Sequence, residues 1–91
     1  MKMDRVHMMT DLEIASNLKM AGEMVDGLRW RLDFFEAQKQ TSYNMEQAET
    51  AQRLMEKYQH QQKVYAAEVY RREQELMGEL MDDYMDSQRN L

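Results

Sequence analysis

The stretch that decides the fold is residues 10–35, TDLEIASNLKMAGEMVDGLRWRLDFF. Apolar residues recur in it at alternating steps of four and three: Ile14, Leu18, Ala21, Val25, Leu28, Leu32 and Phe35. A 4-3 repeat places these side chains along one side of an α-helix, as in a helix that packs against a nearly parallel neighbour. The repeat therefore predicts a helix over about 11–38 with a buried seam.

The two ends of this helix carry different signals. Thr10 and Glu13 have the spacing of a capping box, and the acids of the first turn suit the positive end of the helix dipole. After Phe35 the repeat loses its phase, because continuing it would place Lys39 in the core. We expect a turn over about 39–43, with Ser42 or Asn44 capping the next helix. No Gly or Pro enforces this turn, so a continuous helix with a shifted register is the alternative.

The second segment, about 44–88, has a broader apolar face. One heptad column consists of Ala48, Met55, Gln62, Val69 and Leu76, and it is flanked by Ala51, Tyr58, Tyr65, Ala66 and Leu80. The polar run 59–63 either divides the segment into two helices or is a solvated turn of one long helix. One long helix would extend past the first by roughly 25 Å at 1.5 Å per residue, so it would need a bend or a partner.

The whole chain has 91 residues, no Pro and three Gly, and its common residues are strong helix formers. We expect a flexible N-terminal tail over 1–9 and a single helical domain over 10–88. The predicted fold class is all-α. It is an antiparallel helical hairpin or a small three-helix bundle with coiled-coil-like packing, and dimerisation is one way to complete it.

Composition excludes several classes of function. The chain has no Cys, so it has neither a disulfide nor a thiolate metal site. No apolar run reaches the roughly 18 residues of a membrane span, and the N-terminus lacks the apolar region of a signal peptide. These features predict a cytoplasmic protein that does not use a membrane. The net charge of −5 comes from twelve basic residues scattered among seventeen acids, so direct nucleic-acid binding is not expected.

Catalysis finds no support among the residues that titrate near neutral pH. His7 lies in the predicted tail, and His60 lies in the polar run. Lys57 stands three residues before His60, where a di-iron bundle would need Glu. No Gly-rich phosphate loop or activated nucleophile is present. We predict no catalytic residues, no cofactor and no enzymatic activity.

The first helix carries a second apolar stripe opposite its seam. Its members are Leu12, Met20, Trp30 and Phe34. A two-helix hairpin can cover only the seam, so this stripe needs a third helix of the same chain, a second protomer or a different protein. Exposed aromatic patches of this kind usually mark interfaces, and these four residues are predicted partner-binding residues.

Residues 75–87, ELMGELMDDYMDS, carry another candidate surface. On a helix Glu79, Asp82 and Asp86 point away from the Met sulfurs, so oxygen and sulfur ligands do not converge and no metal site is predicted. What remains is an apolar face opposite an acidic one. The predicted partner-binding residues here are Met77, Leu80, Met81, Tyr84 and Met85.

These features together predict a non-catalytic cytoplasmic interaction module of the inhibitor, adaptor or chaperone type. It would dock on a larger protein through Met-rich and aromatic helix faces, and the eleven Met residues suit a surface that repacks on binding. The first alternative is a self-associating structural or assembly subunit, for instance a homodimer. The second alternative is a regulator of nucleic-acid machinery, and only the adjacent basic pair Arg71 and Arg72 supports it.

Overall fold

The protein is an antiparallel hairpin of two long helices. Our computed structural model describes residues 3–89, and the side chains of residues 5–83 and 85. A short 3-10 helix, Met3–Met8, is followed by helix α1, Asp11–Ala37, and helix α2, Ser42–Arg89. No strand occurs in residues 3–89. The all-α prediction is confirmed, and the hairpin form agrees with the structure.

Helix α1 begins as its sequence predicts. The Thr10 hydroxyl accepts a hydrogen bond from the Glu13 backbone N–H at 3.1 Å, and the Thr10 N–H donates to the Glu13 carboxylate at 3.3 Å. These reciprocal bonds satisfy donors that the first turn of a helix otherwise leaves unpaired. All seven residues of the predicted seam are buried or half-buried, so the 4-3 repeat identifies the packed face of α1 correctly.

The turn between the helices occupies residues 38–41, and it is capped by a residue that the sequence did not single out. The Thr41 hydroxyl accepts from the Asn44 N–H at 3.2 Å. The sequence favours Ser42 or Asn44 as the cap. Ser42 is instead the first residue of α2, and the Asn44 side-chain amide donates back to the Lys39 carbonyl at 2.8 Å. Side chains thus close a turn that has no Gly or Pro.

Two separate apolar clusters hold the hairpin together. The cluster near the turn contains Val25, Leu32, Ala51 and Met55, and the cluster at the open end contains Val6, Ile14 and Tyr65. The half-buried Gln62 lies opposite Gly22, where an added Cβ would come within 3.3 Å of its amide nitrogen. The absence of a side chain at Gly22 therefore makes room for a polar side chain on the inner face of α2.

The N-terminal residues differ from the expected flexible tail. Met3–Met8 form the 3-10 helix, and Val6 is buried against Ile14 and Tyr65. A single buried apolar residue anchors this segment, so there is no periodic pattern from which its packing could be predicted. The Met9 N–H also donates to the Val6 carbonyl at 3.1 Å, which links this short helix to the start of α1.

Helix α2 is continuous through the polar run 59–63, so the second segment is one helix and not two. Helix α1 begins at Asp11, which pairs with Arg72 of α2 at 2.6 Å. Residues 73–89, which we call the overhang, therefore extend beyond α1. At 1.5 Å per residue these residues are about 25 Å long. The molecule is correspondingly elongated, 74 Å in its longest dimension.

Candidate functional site

The overhang carries large apolar side chains that no neighbouring helix covers. Five of them, which we call the overhang stripe, each expose more than half of their surface: Leu76, Met77, Leu80, Met81 and Met85. Four of these are predicted partner-binding residues. The fifth predicted residue of this group, Tyr84, has its side chain outside the described residues. Leu76 was expected in the seam, and it is exposed because α1 does not extend far enough to cover it.

The overhang also carries the entire net charge of the chain. Residues 1–72 contain eleven basic and eleven acidic residues, whereas residues 73–91 contain six acids and a single base, Arg89. The hairpin proper is therefore formally neutral, and the overhang accounts for the net charge of −5. A helix with an exposed apolar face and one sign of charge is suited to a partner of the opposite charge.

A groove lies at the root of the overhang and continues the stripe into the hairpin. It encloses about 320 Å³ and is lined by Asp11, Ile14, Ala15, Val69, Arg72, Glu73 and Leu76. Leu76 belongs both to this groove and to the stripe. The first turn of α1 forms one wall and α2 forms the other, so the groove can accept an apolar side chain from a partner that lies along the overhang.

Arg72 holds the open end of the hairpin together. Its guanidinium donates to the Asp11 carboxylate and to the Met9 carbonyl, both at 2.6 Å, and to the Glu68 carboxylate at 2.9 Å. Longer contacts of 3.4 Å reach the carbonyls of Val6 and His7. The planar guanidinium has five N–H donors, so one side chain can fasten the 3-10 helix, the start of α1 and α2 to each other.

Glu68 receives hydrogen bonds from two neighbouring arginines. The Arg71 side chain donates to its carboxylate at 2.7 and 3.0 Å, and Arg72 donates at 2.9 Å. These bonds, from Arg71 first and then from Arg72, favour the ionised form and lower the pKa of Glu68 to about 2. The guanidinium groups of this basic pair are therefore engaged with carboxylates of their own chain.

The outer face of α1 carries the predicted second apolar stripe, and this stripe is exposed. Leu12 and Met20 are exposed, and Trp30 exposes 70% of its surface. The Trp30 ring stacks on Phe34, four residues along the helix, with centroids 5.6 Å apart and planes 15° apart. This stacking orders both rings without burying them, so the face presents a shaped aromatic surface.

A row of aromatic rings connects this outer face to the turn. Phe34 makes an edge contact with Phe35, whose ring in turn contacts Tyr43 at the start of α2. The Arg31 guanidinium lies 5.5 Å from the Phe35 ring centre and donates to Gln47 at 3.0 Å. Sequence patterns had identified Trp30 and Phe34, but the link to Tyr43 depends on the turn geometry and left no sequence signal.

The aromatic pair of α1 and the overhang stripe lie far apart. Trp30 lies at the level of the cluster near the turn, which contains Met55, whereas Met77 lies 22 residues further along α2, or roughly 33 Å at 1.5 Å per residue. Leu12 follows Asp11, which pairs with Arg72, so it lies at the level of the root of the overhang. One small partner element therefore cannot contact both the overhang stripe and the Trp30 and Phe34 rings.

No described group of side chains suggests chemistry. Among the residues whose side chains the structure describes, no three His, Asp or Glu side chains come together as metal ligands do. The predicted lack of catalytic, cofactor and metal sites stays a prediction. In the described part of the chain, neither α1 nor α2 has an apolar stretch long enough to cross a membrane.

Comparison with models of protein families, with curated proteins and with solved structures finds no match for this chain. Its function is therefore inferred from its own residues.

Proposed function

We propose that the protein is a non-catalytic interaction module that docks on a larger protein through the overhang. The observation that supports this proposal is the overhang stripe, five large apolar side chains more than half exposed on a helix that has left its partner α1. Single exposed apolar residues are ordinary, but a contiguous row of them on a protruding helix is typical of a binding surface.

Methionine suits this role. Three of the five stripe residues are Met, whose unbranched and polarisable side chain adapts to differently shaped partner surfaces. Met at steps of four along a helix presents a continuous soft ridge. The inhibitor, adaptor and chaperone types all use such a surface, and nothing in the described residues favours one of them over the others.

The proposal is tested by site-specific photo-cross-linking in the native host. A photo-reactive phenylalanine derivative replaces Met81 of the stripe or, as matched control, Glu79 on the acidic side of the same helix turn. We expect a discrete adduct only from position 81, with a mass well above that of two 11.0 kDa chains. The partner, identified by mass spectrometry and purified, should bind the wild-type protein and lose affinity for the Leu80→Asp/Met81→Asp variant.

Three results would contradict docking on a larger protein. Equal adducts from positions 79 and 81, or none from either, would mean that the stripe is not a binding surface. An adduct with the mass of two chains alone would favour self-association instead.

Self-association is the second candidate, and the outer face of α1 favours it. Lys19 and Glu23 provide opposite charges along the exposed side of α1. Two copies in antiparallel orientation can pair Lys19 of one with Glu23 of the other, and this register places the exposed Trp30 of each copy opposite the exposed Leu12 of the other. Such a dimer would complete a four-helix bundle.

Sedimentation over a range of concentrations tests this candidate. A dimer that becomes monomeric on Trp30→Ala/Phe34→Ala substitution, with helicity retained, supports it. A wild-type protein that remains monomeric at the highest concentration rules it out. The alternative of a nucleic-acid regulator has no specific support, because Arg71 and Arg72 both bind carboxylates of the chain itself.

A further inference from the structure

We infer that the overhang binds an amphipathic helix of another protein whose apolar row is bordered by Lys or Arg. This inference rests on the proposed docking function and adds the chemistry of the partner. Three features of the overhang support it: the size of its apolar stripe, the distribution of its acids and the groove at its root.

The apolar stripe alone provides only modest affinity. Roughly half of each stripe residue is already covered, so docking can bury only the remaining half of each side chain. Association also costs free energy in lost translation and rotation. Five such side chains therefore do little more than offset that cost, and a stable complex needs additional attraction.

The acids of the overhang provide this attraction and specify its sign. No basic residue occurs between Glu73 and Gln88. On an ideal helix Asp83 lies beside the Leu76 and Leu80 edge of the stripe, whereas Asp82 lies beyond Met85 at the margin of the acidic face. A docked helix therefore meets a carboxylate directly at one border of its contact and the acidic face beyond the other border. Lys or Arg at these borders is attracted, and Asp or Glu is repelled.

A second copy of the chain does not meet this requirement. An antiparallel pair of overhangs would bring together two sets of six acids with one base each. The hairpin proper offers no excess positive charge either, because its acids and bases are equal in number. Charge complementarity thus favours a different protein over a second copy of the chain at this surface.

The groove defines where the partner helix lies. It opens between the first turn of α1 and α2 and shares Leu76 with the stripe. A helix that continues the path of α1 along the overhang would insert one apolar side chain between Ile14 and Val69. Glu73 lines the same groove, and the guanidinium of Arg72 is engaged by Asp11 and Glu68. A basic residue next to the inserted side chain can therefore pair with Glu73.

The test uses the full-length protein and two fluorescent peptides of about 18 residues, long enough to span the overhang. Both peptides have Leu at heptad spacing, and the bordering positions are Lys in one and Glu in the other. Fluorescence anisotropy measures their affinities at about 0.05 M and about 0.5 M salt. We expect the Lys peptide to bind at least about tenfold more tightly at low salt, and this preference should shrink at high salt.

Substitutions separate docking on the overhang stripe from charge attraction alone. Leu80→Asp/Met81→Asp makes the overhang more acidic but destroys the stripe. We therefore expect its affinity for the Lys peptide to fall by about tenfold or more. Met45→Asp adds the same kind of charge at an exposed position near the turn, far from the overhang, and should leave binding unchanged. Asp82→Asn/Asp83→Asn should weaken the Lys peptide and reduce the discrimination between the two peptides.

Each contrary outcome has a defined meaning. If both peptides bind equally and Leu80→Asp/Met81→Asp abolishes both, docking stands and the basic border is wrong. If the more acidic Leu80→Asp/Met81→Asp variant binds the Lys peptide more tightly, the attraction is unspecific and the inference fails. If neither peptide binds, the inference also fails, and cross-linking at Met81 decides separately whether the docking function survives.

Discussion

Helix α2 consists of two regions that share an apolar pattern but differ in their neighbours. Up to Arg72 it lies against α1, and Met55 exposes only 8% of its surface. Beyond Arg72 the same continuous helix runs past the start of α1, and Met81 exposes 57% of its surface. Both regions carry apolar residues at helical spacing. The comparison shows that burial along α2 is decided by where α1 begins, and that an apolar pattern alone does not distinguish a core face from a docking face.

The largest expected effect comes from comparing Met55→Ala with Met81→Ala, the same substitution in the same helix. Met55→Ala leaves a cavity in the cluster near the turn and should lower the free energy of unfolding by about 2–5 kcal/mol. Met81→Ala removes an exposed side chain and should change it by no more than about 0.5 kcal/mol. Chemical denaturation followed by circular dichroism measures both. Equal losses would show that the overhang is packed in solution.

The second comparison is between the adjacent residues Arg72 and Arg71. Arg72→Ala removes the contacts that fasten the 3-10 helix and Asp11 to α2, so hydrogen exchange of the Met9 amide should accelerate by about tenfold or more. Arg71→Ala removes exposed pairs with Glu68 and Glu75 and should leave that amide unchanged. Arg72→Lys should not restore protection, since an ammonium group cannot donate in the planar fork of a guanidinium. Uniform acceleration throughout the hairpin in Arg72→Ala would instead indicate global destabilisation.

Lowering the pH should reduce the stability of the paired region, because Glu68 becomes protonated. Its pKa is lowered in the folded protein from 4.5 to about 2, so the unfolded chain takes up a proton first as the pH falls. The stabilisation from this carboxylate is complete above about pH 4.5 and is lost progressively as the pH approaches 2. Thermal melts across this range should therefore fall more steeply for the wild type than for Glu68→Gln. Parallel curves would mean that the carboxylate is not held by the two arginines in solution.

The smallest expected effect compares two glycines. Nothing lies within 4 Å of a Cβ built on Gly27 in α1 or on Gly78 in the overhang. Gly27→Ala should raise the free energy of unfolding by about 0.5–1 kcal/mol, because Ala is the better helix former. Gly78→Ala should increase the helical signal while leaving the unfolding midpoint unchanged, since the overhang lies outside the paired region. An equal shift of the midpoint in both variants would show that the overhang unfolds together with the hairpin.

Much of the hairpin can be read from local rules. The 4-3 repeat predicts the buried seam of α1, and the capping box of Thr10 and Glu13 predicts where the helix begins. Both signals are local, because periodicity and capping depend on residues only a few positions apart. The overhang follows from the difference in length between the two predicted helices. Trp30 lies opposite the seam as its position in the repeat predicts, whereas its exposure depends on the absence of a third helix in residues 3–89.

Other features depend on contacts between distant residues and escape such rules. The burial of Val6 depends on Tyr65, and the role of Arg72 depends on Asp11, a residue 61 positions away. One signal was present: Arg72 lies one heptad after Tyr65, so its side chain must face the start of α1. The polar run 59–63 does not by itself show whether α2 bends or continues. The helix can continue because Gly22 on α1 leaves room for Gln62, and this contact is not visible in the run itself.

The continuity of α2 lowers the free-energy cost of binding a partner at the overhang. An isolated peptide with the sequence of the overhang would be only marginally helical, since forming its first turn orders several residues for a single hydrogen bond. In the intact chain the paired part of α2 supplies that nucleus, and each further residue only propagates an existing helix. A partner therefore meets a surface that is already in register, and the binding free energy does not have to cover helix initiation.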